Sequence, residues 1–200
     1  GQKITAIVLA AGLGSRFGGD KLLTPIQHPD KTNSKQPLGL ISALNVQPHV
    51  DEVICIIKPN DQALKTLFES KGLKTICNAN YETGLSSSIK AGIKACEDSQ
   101  HHHYMICLAD MPYIQAMTYK KIIEAFNCIQ TITRPMFITE TGINKSGHPV
   151  IFPHKYRNEL LNLTGDEGGK PLIKRYDVNQ VITSDSGIIM DIDVKQDIKD

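Results

Sequence analysis

The sequence ITAIVLA (residues 4–10), followed at once by AGLGSRFGGDK (residues 11–21), decides the fold class. The apolar run is short and rich in Ile and Val, which is typical of a β-strand buried on both faces. The glycines after it let backbone N–H groups approach an anion closely, while Arg16 and Lys21 offer hydrogen-bond donors to phosphate oxygens. We interpret the stretch as a strand that ends in an anion-binding loop.

The loop departs from two common phosphate-binding motifs. A Walker loop beginning at Gly14 would have the right spacing to Gly19, but Asp20 follows where that motif requires Lys. A dinucleotide-binding fingerprint built on Gly12 and Gly14 would require Gly or Ala where this chain has Phe17. A plain strand-to-helix turn remains an alternative, because glycine-rich turns are common.

Similar apolar runs at residues 53–57, 74–77 and 104–109 predict further buried strands. Apolar residues between these runs recur at helical spacing, for example in the stripe formed by Leu85, Ile89, Ile93 and Cys96. Strands that alternate with helices imply right-handed crossovers and a parallel sheet covered on both faces. We therefore predict an α/β three-layer sandwich with a mainly parallel, doubly wound sheet, which binds its ligands at the carboxyl ends of the strands.

The second half of the chain has a different pattern of predicted strands and helices. Short strands are predicted at residues 136–139, 149–152, 178–182 and 187–192, and helices at residues 156–163 and 170–176. No linker composition separates this half from the first. We predict a small antiparallel, lid-like extension within a single domain that comprises residues 1–200.

The composition excludes several classes of partner. The formal net charge of +1 provides no basic excess for nucleic acid or a membrane surface. The longest apolar stretches fall well below the roughly 18 residues that a membrane helix needs, and no leader pattern precedes the first strand. The cysteines fit neither a disulfide framework nor a metal site: Cys55, Cys77, Cys96, Cys107 and Cys128. We expect mostly buried free thiols and a cytoplasmic location.

Two polar tracts are predicted to be solvated loops. The tract HHH at residues 101–103 follows polar residues, and three successive side chains do not point the same way in a helix or strand, which disfavours a metal cluster. The stretch HPDKTNSKQ at residues 28–36 is polar and contains Pro29. It lies close in sequence to the anion-binding loop.

Carboxylates follow two of the predicted strands. Asp110 comes directly after an apolar strand, where a hard oxygen ligand suits Mg²⁺, although a helix cap is the simpler alternative. Asp191 and Asp193 are two residues apart in the predicted last strand and would project to the same face. The two acids would repel one another unless a cation lay between them, and a capping role is again the alternative for Asp193.

Several segments resemble one known family. LAAGLGSRFGGDK resembles the LAAGxSxRxGxxK signature of the MobA-like nucleotidyltransferase superfamily. Five later segments are similar, in the same order, to its branch of molybdenum cofactor cytidylyltransferases: NANYETGLSSSI (78–89), LADMP (108–112), SGHPVIF (146–152), GDEGGKPLI (165–173) and DIDVKQDI (191–198). The sequence departs from that branch at Ala79, at Val194 with Lys195, and in a longer, more polar loop after Lys21, which bears on the acceptor side.

The resemblance implies a nucleotide-diphospho-sugar transferase-like fold and an enzyme activity. The activity is Mg²⁺-dependent transfer of CMP from CTP to the terminal phosphate of a molybdopterin-type cofactor, with release of pyrophosphate. A molybdenum hydroxylase is the candidate recipient of the product. An AAG opening, here Ala10, Ala11 and Gly12, is associated with CTP in preference to GTP.

The resemblance also assigns roles to individual residues. It gives catalytic roles to Arg16, Lys21 and Asp110, and Mg²⁺ binding to Asp110 and Asp193. It places nucleotide contacts in two segments, at Leu9, Ala10, Ala11, Gly12, Gly14, Lys21, Asn78, Gly84, Ser86 and Ser87. Its acceptor side corresponds to His148, Asp166 and Gly168. Independently of the resemblance, Ser86 and Ser87 follow Gly84 in the first turn of a predicted helix, where hydroxyls and free N–H groups could face a ligand.

Other functions remain open at this stage. The same fold could use GTP, or a sugar or alditol phosphate as acceptor. A nucleotide-binding accessory protein that escorts the cofactor without turnover belongs to a different class, which the combined presence of Arg16, Lys21, Asp110 and Asp193 disfavours. An NAD(P)-linked oxidoreductase is a third class, and the missing GxGxxG pattern counts against it.

Overall fold

The structure of the protein is a computed structural model that describes residues 1–12 and 21–192. Its strands are β1 (Lys3–Ala10), β2 (Pro25–Gln27), β3 (Lys35–Pro37), β4 (Glu52–Ile57), β5 (Lys74–Cys77), β6 (His102–Leu108), β7 (Ile132–Ile138), β8 (Asn144–Ser146), β9 (Val150–Phe152) and β10 (Val178–Thr183). Its α-helices are α1 (Leu38–Val46), α2 (Gln62–Ser70), α3 (Leu85–Lys94), α4 (Ala116–Cys128), α5 (Arg157–Leu161) and α6 (Lys170–Arg175).

One large, mostly parallel sheet organises the described residues. Its strand order is β10-β7-β9-β6-β1-β4-β5, and β8 pairs with β7. Strands β4, β1 and β6 are parallel neighbours, whereas β9 runs antiparallel to both β6 and β7. A separate antiparallel hairpin joins β2 to β3. The predicted α/β fold with a mainly parallel sheet and a small antiparallel part is confirmed.

Two hydrophobic clusters cover the two faces of β1. Ala6, Val8 and Ala10 belong to the cluster that includes residues of α1, α2 and α4. Ile7 and Leu9 belong to the other, with residues of α3, α5 and α6. Successive side chains of a strand point to opposite faces, so an unbroken apolar run supplies both cores. This arrangement is the predicted three-layer sandwich.

Helix α3 packs unusually close to β1. Gly92 faces Ile7, and a Cβ atom at Gly92 would lie 2.5 Å from Ile7 Cγ2. A glycine at this position therefore lets the helix backbone approach the sheet. Because α3 begins beside the ends of the parallel strands, this contact also fixes the position of its first turn.

The second half of the chain differs from the predicted lid-like extension. Strands β7 and β10 continue the main sheet beyond β9, so this half completes the sheet instead of forming a lid. The predicted strand at residues 187–192 is wrong: residues Ser186–Ile189 form a 3₁₀ turn. Asp185 caps this turn by accepting a hydrogen bond from the N–H of Gly187 at 2.9 Å. A local side-chain cap outweighed the apolar pattern there.

The histidine tract at residues 101–103 differs from the predicted loop, whereas most of the stretch at residues 28–36 is a loop as predicted. His102 and His103 are buried and begin β6, where the Thr5 hydroxyl lies 2.6 Å from His102 Nε2 and His103 Nδ1 accepts a hydrogen bond from the N–H of His154. Polar partners inside the fold therefore allow histidines to enter the strand. The stretch at residues 28–36 is the turn and returning strand of the β2–β3 hairpin.

The prediction for the cysteines is confirmed in part. Cys55, Cys96 and Cys107 are buried, and Cys77 and Cys128 are exposed. Burial raises the pKa of the Cys55 thiol to about 12 and raises that of Cys107 further. The buried cysteines are therefore inert packing residues at neutral pH.

Candidate active site

Asp110 and Lys21 form an ion pair where β6 ends. Strand β6 stops at Leu108, and the next two residues place the Asp110 carboxylate at the carboxyl edge of the sheet. Lys21 Nζ donates a hydrogen bond to Asp110 Oδ2 at 2.8 Å. The side chains are only 12% and 22% exposed, respectively, so water screens this pair weakly. Two residues with predicted catalytic roles therefore meet although 88 residues separate them in the chain.

A second carboxylate approaches the same place. The backbone carbonyl of Asp110 accepts a hydrogen bond from the N–H of Ile192 at 2.9 Å, which brings Asp191 beside Asp110. Burial raises the pKa of Asp110, the negative charge of Asp191 raises it further, and the hydrogen bond and charge of Lys21 oppose the rise. A divalent cation would relieve both the desolvation and the repulsion of these acids, so the residues present fit a hard cation.

The predicted metal set is only partly within the described residues. Asp193 lies outside them, as do Gly14 and Arg16. Among residues 1–12 and 21–192, no group of three or more His, Cys, Asp or Glu side chains is arranged to hold a metal ion. Asp110 and Asp191 are the acids that the described residues bring together here, and metal binding by Asp110 and Asp193 stays a prediction.

A pocket of about 530 Å³ opens beside Asp191. Its walls combine aliphatic and polar side chains: Leu108, Met111, Lys145, Ser146, Gly147, His148, Ile188, Ile189 and Asp191. A cavity of this size, mainly apolar with a few polar groups, can bind a small organic ligand. The predicted acceptor residue His148 lies in this wall.

His148 is held as a neutral side chain. The backbone N–H of His148 donates a hydrogen bond to the carbonyl of Ile188 at 3.0 Å, which ties the segment between β8 and β9 to the 3₁₀ turn at Ser186–Ile189. Burial lowers the pKa of His148 to about 4, with a smaller contribution from the positive charge of Arg134. At neutral pH its imidazole presents one donor and one acceptor nitrogen.

Asn78 organises the first turn of α3. Its amide nitrogen donates to the hydroxyls of Ser87 and Ser88 at 2.8 and 3.0 Å, and its amide oxygen accepts from the N–H of Asn80 at 3.0 Å. The single hydroxyl hydrogen of Ser87 in turn faces the carbonyls of Gly84 and Asn80, at 2.7 and 3.0 Å from Oγ. The side chains that the resemblance assigns to the nucleotide are thus bonded to one another.

A loop formed by Thr164, Gly165 and Asp166 closes the start of α3. Asp166 Oδ1 accepts from the N–H of Leu85 at 2.9 Å, and the carbonyl of Gly165 accepts from the N–H of Ser86 at 3.1 Å. The prediction that these N–H groups are free for a ligand is therefore wrong. Gly84 permits the closure, since it has φ +116° and a Cβ there would lie 2.5 Å from the Gly165 carbonyl oxygen.

The predicted acceptor residues lie in two places. His148 lines the pocket beside Asp191, whereas Asp166 caps α3. Gly168, with φ +60°, lies against Leu85 of the same helix. The structure therefore groups Asp166 and Gly168 with the Gly84 and Ser86 segment instead of with His148.

The first loop is described only at its start. Leu9, Ala10 and Ala11 are buried, and nothing lies within 4 Å of a Cβ built at Gly12. Among the described residues Gly12 is exposed, so its backbone could contact an incoming ligand.

Sequence reasoning missed several pocket residues. Lys145, Ile188 and Ile189 come from β8 and from the 3₁₀ turn, both of which the apolar pattern described poorly. Ser146 was part of the SGHPVIF segment, which was a usable signal. Lys145 directly precedes that segment and could have been found with it.

This fold and site define an α/β protein of the nucleotidyltransferase type. The sequence matches the MobA-like NTP transferase domain over residues 6–181. The chain therefore belongs to the MobA-like NTP transferase family.

Individual relatives give a consistent fold and varied activities. The chain is 22% identical over 202 residues to nicotine blue oxidoreductase of Paenarthrobacter nicotinovorans, and the match covers 95% of this chain and 92% of that protein. It is similar in structure to Rv0371c of Mycobacterium tuberculosis, with a TM-score of 0.78, 24% identity and coverage of 98% and 95%. A manganese complex of Rv0371c also matches, with a TM-score of 0.69 and 22% identity over 91% and 88% of the chains.

A third similar structure has a cytidylyl product in its name. The 4-diphosphocytidyl-2C-methyl-D-erythritol synthase of Anaerococcus prevotii matches with a TM-score of 0.73 and 17% identity, and the match covers 98% of this chain and 94% of that one. These structural likenesses show the fold. No helix in the described part of the chain is long and apolar enough to cross a membrane.

Proposed function

We propose that the protein transfers CMP from CTP to the terminal phosphate of a molybdopterin-type cofactor and releases pyrophosphate. The observation that carries the proposal is the partly buried Lys21–Asp110 pair beside Asp191, a residue that lines a pocket large enough for an organic acceptor. The family supports nucleotidyl transfer, and the AAG opening at residues 10–12 favours CTP.

The acceptor itself supplies the nucleophile. A phosphate monoester has a second pKa of about 6 and is mostly dianionic at neutral pH, so its oxygen needs no general base. That oxygen forms a bond to the α-phosphorus of CTP while the bond from the α-phosphorus to the bridging oxygen breaks, and pyrophosphate leaves with the electron pair. The barrier is chiefly charge repulsion and alignment.

Residues of this chain would lower both the charge repulsion and the cost of alignment. Lys21 would place positive charge beside the reacting phosphates, and its contact with Asp110 fixes the ammonium group in position. Arg16 is predicted to add a second cation. The pocket wall around His148 would hold the acceptor so that its phosphate points toward Asp110 and Asp191.

Asp110 and Asp191, with the predicted contribution of Asp193, would hold a divalent cation. Such an ion, when bound, would neutralise the α-phosphate and the departing pyrophosphate. We propose Mg²⁺ as the resident ion, and the manganese complex of Rv0371c supports a divalent metal in this fold.

The walls of the pocket favour a flat, partly apolar acceptor. Leu108, Met111 and Ile188 offer aliphatic surface, whereas a sugar or alditol phosphate would require more hydrogen-bonding groups. Lys145 and Ser146 add donors for oxygen atoms of the acceptor. A pterin-type ring system matches this combination. The molybdenum hydroxylase remains the proposed recipient of the product, in a cytoplasmic setting.

A panel of substrates tests the proposal. Purified protein is incubated with Mg²⁺, one of CTP, GTP, ATP or UTP, and either molybdopterin-type cofactor or a sugar or alditol phosphate, and the products are identified by mass. We expect a cytosine dinucleotide of the cofactor from CTP. A product from another nucleotide or acceptor would keep the reaction and change the substrates, and nucleotide binding without any product would favour the accessory-protein function.

A second candidate function is an NAD(P)-linked oxidoreductase. The observation that favours it is the relative named nicotine blue oxidoreductase, which matches over nearly the full length of both chains. The test is oxidation of NADH or NADPH with a heteroaromatic dye, followed by the loss of absorbance of the reduced cofactor. Turnover that persists without any nucleoside triphosphate would establish this alternative.

A further inference from the structure

A line of three polar side chains leads from strands β10 and β7, at one edge of the sheet, to the pocket. Arg134 of β7 and Gln180 of β10 are register partners. When the amide of Gln180 is oriented to match its neighbours, its oxygen lies 3.1 Å from both Nε and Nη2 of Arg134, and its nitrogen lies 3.0 Å from the hydroxyl oxygen of Ser146. Ser146 is part of the pocket wall. The line therefore connects a partly buried guanidinium group to the ligand side of the pocket.

The hydrogen-bonding role of each group in this line, as donor or acceptor, is fixed by its neighbours. A guanidinium group carries only donors, so the oxygen of Gln180 must face Arg134 and the NH₂ group must face Ser146. The hydroxyl oxygen of Ser146 is then the acceptor of that bond. Among the described residues, Ser146 has no other side-chain hydrogen-bond partner, so its single hydrogen is available to the pocket.

Two cationic side chains, Arg134 and Lys145, lie near Ser146, and the carboxylate of Asp191 lines the same pocket. No carboxylate of the described residues forms an ion pair with Arg134, and burial lowers the pKa of that group. Lys145 lines the pocket next to Ser146. His148 is neutral, as described above. An oxygen atom with negative charge is the ligand group that fits these neighbours best.

We propose that Arg134 and Gln180 are positioning residues that orient the hydroxyl of Ser146 as a donor to an anionic oxygen of the acceptor substrate, with Lys145 beside it. This inference rests on the proposed function, because it takes the pocket as the acceptor site. It adds a determinant of acceptor binding that acts at a distance from the reacting phosphates.

The substitution Gln180→Glu directly tests whether the amide of Gln180 donates to Ser146. A glutamate keeps the size of the side chain and the contact with Arg134, but its carboxylate only accepts, so the Ser146 hydrogen would turn toward it and away from the pocket. We expect the KM for the acceptor to rise about tenfold or more. The KM for the nucleotide should stay within about twofold, and kcat at saturating acceptor should change less than about threefold.

Matched variants separate this effect from a general loss of structure. Asn179→Asp makes the same change of amide to carboxylate one residue away in β10 and should leave the acceptor KM unchanged. Ser146→Ala should raise the acceptor KM as Gln180→Glu does, and the double variant should show no further rise, because both remove the same bond. The melting temperature of each variant is measured, and its kinetic constants are corrected for the unfolded fraction where this temperature differs from that of the wild type.

The outcomes separate this inference from the proposed function. Turnover by the wild type, together with an unchanged acceptor KM in both Gln180→Glu and Ser146→Ala, overturns the inference and leaves the transferase intact. Absence of turnover in the wild type rejects the proposed function itself. A crystal of the wild type soaked in inorganic phosphate then decides independently: phosphate bonded to Ser146 and Lys145 supports the inference, and phosphate bound only elsewhere overturns it.

Discussion

Asp110 is the residue on which the chemical account depends most. Its partly buried carboxylate faces one ammonium group and one further acid, an arrangement that is unfavourable for folding and useful for binding a cation. Functional sites often contain such locally unfavourable groups. The same residue can therefore be changed with little expected harm to the fold.

Asp110→Asn should lower the rate of nucleotidyl transfer by about 100-fold or more, because it removes a charged ligand from the reacting centre. The free energy of unfolding should stay the same or increase, since the pKa of Asp110 is raised by burial and a neutral amide avoids that desolvation. Steady-state kinetics and urea denaturation measure the two effects. Asp98→Asn, an exposed acid that contacts His154, is the control and should retain full activity. Equal rates in all three proteins would contradict the role of Asp110.

Variants of Asp166 distinguish a structural role of this residue from a contact with the substrate. Loss of its bond to the N–H of Leu85 in Asp166→Ala should lower the free energy of unfolding by about 0.5–2 kcal/mol, whereas Asp166→Asn keeps an acceptor oxygen and should lose less. Chemical denaturation provides the measurement. The resemblance predicts an acceptor contact instead, in which case the acceptor KM, and not stability, would change in Asp166→Ala.

At the scale of elements, the contact between α3 and β1 positions the segment that begins at Gly84. Gly92→Ala should lower stability by about 1–3 kcal/mol, because the new methyl group would meet Ile7, although alanine favours the helix. Thermal and urea denaturation measure the change. In the background of Ile7→Ala the methyl group has room, so the same substitution should stabilise. Destabilisation of equal size in both backgrounds would show that the close approach is not the cause.

Strands and helices were predictable from the sequence where a clear pattern of apolar residues marked them. The runs that form β1 and β4 are mostly apolar because both faces of these strands are buried, and the sequence alone identified them together with β5 and the apolar part of β6. The β2–β3 hairpin and α1 gave no clear signal. Strand β2 has three residues, and α1 is buried over most of its surface, so neither shows a strong alternation or an amphipathic stripe.

The candidate site was predicted where residues follow strands. Asp110 was identifiable because it comes directly after an apolar run, and Lys21 because it closes the glycine-rich loop. Asp166 and Ser146 depend on tertiary pairing across 81 and 34 residues, respectively, which spacing along the chain does not reveal. Their partners, Leu85 and Gln180, are therefore visible only in the folded protein.

At the scale of the whole molecule, stability should depend on pH through His103. This residue is buried, its Nδ1 accepts the N–H of His154 at 3.0 Å, and its Nε2 contacts the amide oxygen of Gln2. Protonation of Nδ1 would break the first bond. Burial lowers the pKa of His103 to about 4, with a smaller effect of the neighbouring histidines.

The sign of the pH effect follows from this lowered pKa. The unfolded chain takes up the proton near pH 6.5 and the folded chain only near pH 4, so stability is fully present above about pH 6.5 and is lost as the pH falls toward 4. We expect His103 to account for a loss of about 1–3 kcal/mol. His148 acts in the same direction, so His103→Gln should remove part of the dependence.

Urea denaturation between pH 7 and pH 4 tests this expectation. A glutamine at position 103 can still accept the N–H of His154 but does not titrate in this range. His101→Gln, at an exposed position, is the control and should leave the pH profile as it is in the wild type. The expectation fails if His103→Gln loses as much stability on acidification as the wild type does.

We assign nucleotidyl transfer to the Lys21–Asp110 site. Pyrophosphate release is the most direct measurement of this activity. Wild type and Asp110→Asn are compared with CTP, Mg²⁺ and a molybdopterin-type cofactor, with and without the cofactor. We expect pyrophosphate release that requires the cofactor and is about 100-fold slower in the variant. Release at the same rate in both proteins, or none in the wild type with any nucleotide and acceptor, would contradict this assignment.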